Sequence, residues 1–284
     1  MSFLIKCYRF VTRPLKGRGL NKSPLLMRIS SSIIRKISPL YVDLRQGFKL
    51  MVEDEEFVSY QYHGEYEPVT TQVIKDQIKK GDVVVDIGAN IGYYTILFSR
   101  LVGSDGLVYS FEPGPKNFSM LKQNVELNGC KNVILEQKAV AGKSGIVELF
   151  LHERGGNHSI VDAKGCVGLI KVDCVSLQDY FKDRRVDLIK MDVEGAEYQV
   201  VKGADAILNS GVKLVIEFNI DSMTARHIDS KKLLKILSEK GYRLKGINEG
   251  EKRILEITED DFDTVDSTYN GKTLNVLCLK ELKK

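Results

Sequence analysis

The sequence has no run of 18 or more apolar residues, so no transmembrane helix is expected. Its apolar start, Met1 to Val11, is broken by Lys6 and Arg9, and no small-residue cleavage site follows, which argues against a signal peptide. No Cys-x-x-Cys occurs. The five cysteines (Cys7, Cys130, Cys166, Cys174 and Cys278) are odd in number and scattered, which argues against a disulfide framework or a zinc site. Scattered structural thiols fit a reducing, cytoplasmic setting. There is no Gly-x-Gly-x-x-Gly and no Gly-Lys-Ser/Thr phosphate loop, so neither nucleotide fingerprint is met. No internal repeat is visible, and the last 169 residues contain no proline.

What remains is a chain of 284 residues, 43% hydrophobic and 28% charged, long enough to bury a full core without staples. Its net charge of +4 hides an asymmetry. Residues 1–50 hold eleven Lys/Arg and one acid, Asp43, giving +10; the other 234 hold 31 Lys/Arg and 37 Asp/Glu, giving −6. This is a basic arm on a mildly acidic body, not a nucleic-acid-binding body. Three of the six prolines, Pro14, Pro24 and Pro39, punctuate the arm, residues 1–40. Leu25–Ile29 and Ile33–Ile37 mix apolar and basic residues at helical spacing. Two readings stand: a helix packed on the main domain with a solvated basic face, or one lying on an anionic membrane surface.

The domain proper is expected over residues 41–284, with a hairpin in 41–66 and an α/β core in 67–284. Phe48–Val52 and Phe57–Tyr62 read as the hairpin, around the acidic turn Glu53–Glu56. Pro68 opens a helix that runs to Lys80. Asp82–Asp86 is a continuous apolar strand of the kind buried on both faces. Strands at Leu107–Phe111, Val133–Glu136, Ile146–Leu151, Ile170–Val175, Asp187–Met191, Val212–Phe218, Tyr242–Ile247 and Leu274–Leu279 then alternate with helices at Tyr93–Val102, Pro115–Asn128, Glu197–Leu208 and Ser230–Lys240. That alternation gives a doubly wound, mostly parallel sheet.

In such sheets the ligand lies at the C-terminal ends of the strands. The first core strand ends in Asp86-Ile87-Gly88-Ala89-Asn90-Ile91-Gly92-Tyr93-Tyr94-Thr95. Gly88 and Gly92 permit a tight turn and close approach of a ligand, and the helix that follows offers unpaired N–H groups to an anion. The second strand ends in Phe111-Glu112-Pro113, with Glu112 24 residues after Gly88. An acid there can accept both hydroxyls of a ribose. Lys190-Met191-Asp192-Val193-Glu194-Gly195-Ala196-Glu197 and Glu217-Phe218-Asn219 end two further strands facing the same crevice. Asp192, Glu194 and Glu217 would converge there. Glu197 also suits the first turn of its helix.

These segments, in this order, resemble the FkbM family of S-adenosylmethionine-dependent methyltransferases. The resemblance covers roughly residues 60–220 and takes in Gly64-Glu65-Tyr66-Glu67-Pro68 upstream. It implies a class I methyltransferase, Rossmann-like fold of seven strands, with Leu274–Leu279 antiparallel between its neighbours. It implies S-adenosylmethionine as cofactor, with Asp86, Gly88, Asn90, Gly92 and Thr95 around the methionine moiety and Glu112 on the ribose. By analogy of position it adds Asn117, Asn132 and Ala139 at the adenosine end, and Glu67 and Thr70 over the amino-acid end.

The implied reaction is O-methylation of a sugar, glycan or related small molecule. A nucleic-acid acceptor is disfavoured: no Pro-Pro exists, hence no Asp/Asn-Pro-Pro-Tyr/Phe motif. A hydroxyl must lose its proton during attack, and Asp192, Glu194 and His158 are candidate bases. Glu217, Asn219 and His227 would line the acceptor side. Asp192, Glu194 and Glu217 could also hold Mg²⁺, though carboxylates acting without metal are the expectation.

Overall fold

The computed structural model describes residues 41–52, 64–152, 158–161, 166–219, 230–265 and 273–280. The basic arm, the Phe57–Tyr62 strand and His227 lie outside the described residues. The chain divides into two compact units, Met1–Tyr66 and Glu67–Lys284. In the first, β1 (Val42–Asp43) pairs antiparallel with β2 (Lys49–Leu50). The described partner of the Phe48–Val52 segment is thus the segment before it, across a turn closed by Leu44 N–H to the Phe48 carbonyl (2.9 Å).

The second unit is built on a mixed sheet. Its elements are α1 (Pro68–Gln77), β3 (Val83–Ile87), α2 (Tyr93–Val102), β4 (Leu107–Phe111), α3 (Pro115–Leu127), β5 (Val133–Glu136), β6 (Ala139–Val140), β7 (Gly145–Leu151), β8 (Gly168–Val175), α4 (Leu177–Tyr180), β9 (Leu188–Met191), α5 (Glu197–Lys202), α6 (Asp205–Asn209), β10 (Lys213–Asn219), α7 (Ser230–Glu239), β11 (Tyr242–Asn248), β12 (Arg253–Ile257) and β13 (Thr273–Lys280). The main sheet runs β12-β11-β13-β10-β9-β3-β4-β5. β13 lies antiparallel between β10 and β11, as the resemblance implies. The sheet has eight strands, however, not seven. The extra one, β12, pairs antiparallel with β11 at the edge and is exposed along four of its five residues. It carries none of the alternation that marks a strand in sequence. β6, β8 and β7 form a separate three-stranded sheet.

The helices form two layers. Alternate residues of the buried strands, such as Val85, Ile87, Ile189, Met191, Ile216 and Phe218, share one core with α4 to α7. The intervening residues face α2, which is buried at eight of its ten residues. Each fully buried Leu, Ile or Phe there contributes about 1.5–3 kcal/mol. The helix expected over Glu197–Leu208 is two helices, α5 and α6. At the break, a Cβ on Gly203 would lie 2.3 Å from the Gly142 carbonyl oxygen, so the chain turns hard against that backbone.

Two long-range contacts fix the start of the unit. Glu249, beyond β11, accepts the N–H groups of Val69 (3.2 Å) and Thr70 (2.6 Å), capping α1 from 180 residues away. Asn275 of β13 donates to Glu67 (3.2 Å).

Gly88 marks where the ends of β3 and β9 nearly touch. It has φ +76°, and a Cβ there would lie 1.7 Å from the Asp192 carbonyl oxygen. Gly129 has φ +63° with open space around it. Gly129→Ala should therefore cost about 1–2 kcal/mol of conformational strain, and Gly88→Ala about 3 kcal/mol or more, because strain and overlap add. Urea denaturation of the two variants tests this, and equal losses would mean the Asp192 contact relaxes away.

Candidate active site

The strand ends build a cleft lined by Gly88, Asn90, Glu112, Asn117, Ala139, His158, Asp192 and Glu194, among others. Gly88 (+76°), Asn90 (+50°) and Gly92 (+97°) all have positive φ, which coils the β3–α2 loop tightly. Glu112 is buried directly after β4. Its Oε2 accepts the Asn90 N–H (2.8 Å) and its Oε1 the Gly114 N–H (2.9 Å), so one carboxylate joins both loops of the cleft. Burial pushes its pKa up to about 7, against the pull of these hydrogen bonds and one from Asn117.

Beneath the cleft lies a row of polar groups across an otherwise apolar sheet. In register, Ser110 of β4 stands beside Asp86 of β3, and Asp86 beside Lys190 of β9. Thr95 of α2 donates to Asp86 Oδ2 (2.6 Å) and lies 2.9 Å from the Ser110 hydroxyl. Lys190 is only 3% exposed. Its Nζ is 3.1 Å from Asp192 Oδ2 and 5.0 Å from the centre of the Tyr94 ring. Burial alone would lower Lys190, but Asp192, Asp86, Glu217 and Glu67 outweigh it and hold the ammonium above its ordinary range. Tyr94 donates to Glu67 (2.7 Å), whose backbone is left-handed (φ 40°). Burial, with Asp192 and Glu67 nearby, raises Glu217 well above the usual carboxylate range. Burial likewise raises Asp86 and Glu67. Asp86 Oδ1 and Glu217 Oε2 are buried without a hydrogen-bond partner.

Glu194 is held at φ 51° by the loop's own acid. Glu197 Oε1 accepts the N–H groups of Gly195 (3.1 Å) and Val193 (3.3 Å), which makes it a brace for this loop.

The expected residues thus divide. Gly88, Asn90, Glu112, Asn117, Ala139, His158, Asp192 and Glu194 meet at the cleft. Asp86 and Thr95 lie beneath it in the buried row, and Gly92 packs against Leu121 of α3. Thr70 is a buried residue of α1 whose N–H is tied to Glu249. Asn132 stands at the opposite end of the sheet: its side chain bonds the Ser99 carbonyl (3.1 Å), the Ser99 hydroxyl (2.5 Å) and the Gly103 carbonyl (2.7 Å), pinning α2 to β5. Asn219 closes β10 opposite Thr273. Among the described residues no group of three or more His, Cys, Asp or Glu side chains stands close enough together to hold a metal ion. Lys190, Tyr94 and Asn275 were not expected. Lys190 did leave a signal, as the one charge inside the apolar run Leu188–Met191.

Two outcomes follow. Lys190→Met leaves the buried Asp86, and the half-buried Asp192 beside it, without their counter-charge and should cost about 3–5 kcal/mol. The loss should grow with pH, because carboxyls raised in the folded state stabilise it only while protonated. Calorimetric melts from pH 5 to 8 read this, and a pH-independent loss would mean Lys190 acts by packing alone. Glu112 has a folded pKa near 7 against an ordinary 4.5, so its contribution is complete below about 4.5 and is lost as pH rises through 7. Glu112→Gln should flatten that part of the stability curve, and an unchanged slope in urea titrations between pH 5 and 8 would assign the dependence elsewhere.

Among known proteins, the sequence model described as the methyltransferase FkbM domain matches residues 86–244. Methyltransferase 1 of Beauveria bassiana is 29% identical over 145 residues, 43% of this chain and 58% of that protein. Hexuronic acid methyltransferase AglP of Haloferax volcanii is 26% identical over 170 residues, 59% of this chain and 66% of that one. The chain thus spans about three fifths of the length of these two relatives. Among solved structures, a SAM-dependent O-methyltransferase of Thermotoga maritima aligns with 14% identity and a TM-score of 0.45, covering 86% of this chain and 78% of that one.

Proposed function

The chain belongs to the methyltransferase FkbM domain family, and from that premise we propose that it moves a methyl group from S-adenosylmethionine to a hydroxyl of a sugar, glycan or related small molecule. The observation that carries this reading is the meeting of the β3–α2 glycine loop, Glu112 and the Lys190–Asp192 pair at one end of the sheet. The residues present suit that cofactor. Gly88 and Asn90 line the cleft on a tightly coiled loop, and Glu112 can accept ribose hydroxyls. Asp86 and Glu217 offer buried, unpartnered oxygens in a carboxylate-rich setting that favours a cation. When bound, S-adenosylmethionine supplies an activated methyl group on a positively charged sulfur.

The chain's own part is to orient the acceptor, exclude water and take a proton. Orientation accounts for on the order of 7–11 kcal/mol of barrier in favourable cases. Asp192 takes the acceptor's hydroxyl proton, and Lys190, at 3.1 Å, holds that carboxylate in place. Glu194 and Glu217 contribute hydrogen-bond acceptors to the acceptor's other hydroxyls. The carboxylates act without a metal in this reading. A sugar acceptor is supported by the name of the AglP relative and by the richness of carboxylates, which suits polyols. The net charge of −6 beyond residue 50 speaks against nucleic acid. The same reading puts the reaction in the cytoplasm, with the basic arm as the segment that would meet an anionic membrane carrying lipid-linked saccharides. Among the described residues no helix is long and apolar enough to cross a membrane.

Titration calorimetry should detect S-adenosylmethionine but neither NAD nor ATP, and labelled methyl should pass to a hydroxyl in a saccharide screen. Asp192→Asn should lower kcat by about 10²–10⁴ while binding the cofactor nearly as well. Full turnover in that variant removes Asp192 from the reaction, and failure of the wild type to bind S-adenosylmethionine removes the reading.

A further inference from the structure

The described segment 158–161 is a short strap whose His158, Ser159 and Ile160 line the cleft. Ser159 fixes it at two places. Its backbone exchanges both hydrogen bonds with Phe150 of β7 (2.8 and 3.2 Å), and its hydroxyl donates to the carbonyl of Glu194 (2.8 Å). The same hydroxyl accepts the Val161 N–H (3.1 Å), so the strap is braced on itself as well. One residue earlier stands His158, a candidate base by sequence.

Its surroundings argue for different work. Nδ1 of His158 accepts the backbone N–H of His152 (3.1 Å). Burial, aided by His152 and Lys116, lowers its pKa and favours the neutral ring. A neutral imidazole has one donor and one acceptor nitrogen. With Nδ1 accepting, the proton is on Nε2, and a protonated nitrogen cannot take a proton from an acceptor hydroxyl. The Cδ2–Nε2 edge lies against Gly114. A Cβ built on Gly114 would stand 2.9 Å from His158 Cδ2, 3.7 Å from Nε2 and 2.9 Å from Glu112 Oε1. That donor edge and the Glu112 carboxylate therefore flank the same glycine at the lip of one cleft. A vicinal diol needs both kinds of partner: a carboxylate for its hydrogens and a donor for its lone pairs.

We propose that His158 is a cofactor-binding residue that donates from Nε2 to the ribose whose hydroxyls Glu112 accepts, and that it is not the base. This rests on the S-adenosylmethionine reading above. It also gives the Ser159–Glu194 bond a purpose, since the strap that closes on the ribose is the one that holds the backbone of the acceptor-side loop.

The test uses the full chain and S-adenosylhomocysteine as the calorimetric probe. His158→Phe keeps a ring and removes the donor, and should weaken binding about five- to tenfold, the worth of one hydrogen bond. His158→Gln, whose amide can donate from a similar place, should recover most of that affinity and keep the wild-type pH profile of kcat. With 5′-methylthioadenosine and its 3′-deoxy analogue, the gap between wild type and His158→Phe should narrow for the deoxy compound. Unchanged affinity in His158→Phe overturns the proposal. So does a loss of kcat at full affinity in His158→Gln with loss of a limb of the pH profile, which would make His158 the base. A wild type that binds no S-adenosylhomocysteine overturns the cofactor reading itself, and that outcome is distinct from the other two.

Discussion

Everything at the cleft rests on one buried ammonium. Lys190 stands in the middle of the sheet, with Asp86, Asp192, Glu217 and Glu67 around it and the Tyr94 ring 5.0 Å from its charge. Burying charges is costly unless they are paired and hydrogen-bonded. One cation cannot neutralise four carboxylates, and the structure responds by raising several of those acids toward their neutral forms. The surplus of negative charge is confined to the strand ends, where a positively charged guest would relieve it. Stability and binding therefore draw on the same few side chains, and a gain in one tends to be a loss in the other.

Backbone strain concentrates in the same place. Among the described residues, four non-glycine residues have positive φ: Glu67, Asn90, Glu194 and Lys252. The first three border the site, and Lys252 sits in the exposed turn before β12. Such conformations cost of order 1–3 kcal/mol each and persist only when neighbours enforce them. Here the enforcers can be named. Tyr94 and Asn275 hold Glu67, Glu112 holds the N–H of Asn90, and Glu197 gathers the amides on either side of Glu194.

Much of the fold was legible because parallel strands buried on both faces must be continuously apolar. Val83–Ile87 and Leu107–Phe111 could be read directly, and the glycines and acids at their ends marked the cleft. What escaped did so for physical reasons. Strand β12 has solvent on both faces and so no alternation. The break at Gly203 depends on the distant Gly142 backbone. Asn132 has the residue type of a ligand contact but sits at the wrong end of its strand, a distinction that only register supplies. Asp86 and Thr95 flank the loop in sequence, yet their side chains meet beneath it. Lys190 was visible as an interruption, but its partners come from four separate stretches of chain.

The cap on α1 carries a consequence for timing. Glu67 and the first turn of α1 come early in the chain, but the groups that fix them, Glu249 and Asn275, come about 180 and 208 residues later. A ribosome delivers the glycine loop and Glu112 long before it delivers those anchors, and contacts of such separation form slowly. The nascent chain can thus build the β3–α2 loop and the Glu112 side of the cleft while Glu67 is still unfastened. Only when the C-terminal strands dock does the site close. The chain's last strands act as a latch on its first helix, and competence to bind arrives with the completion of the sheet.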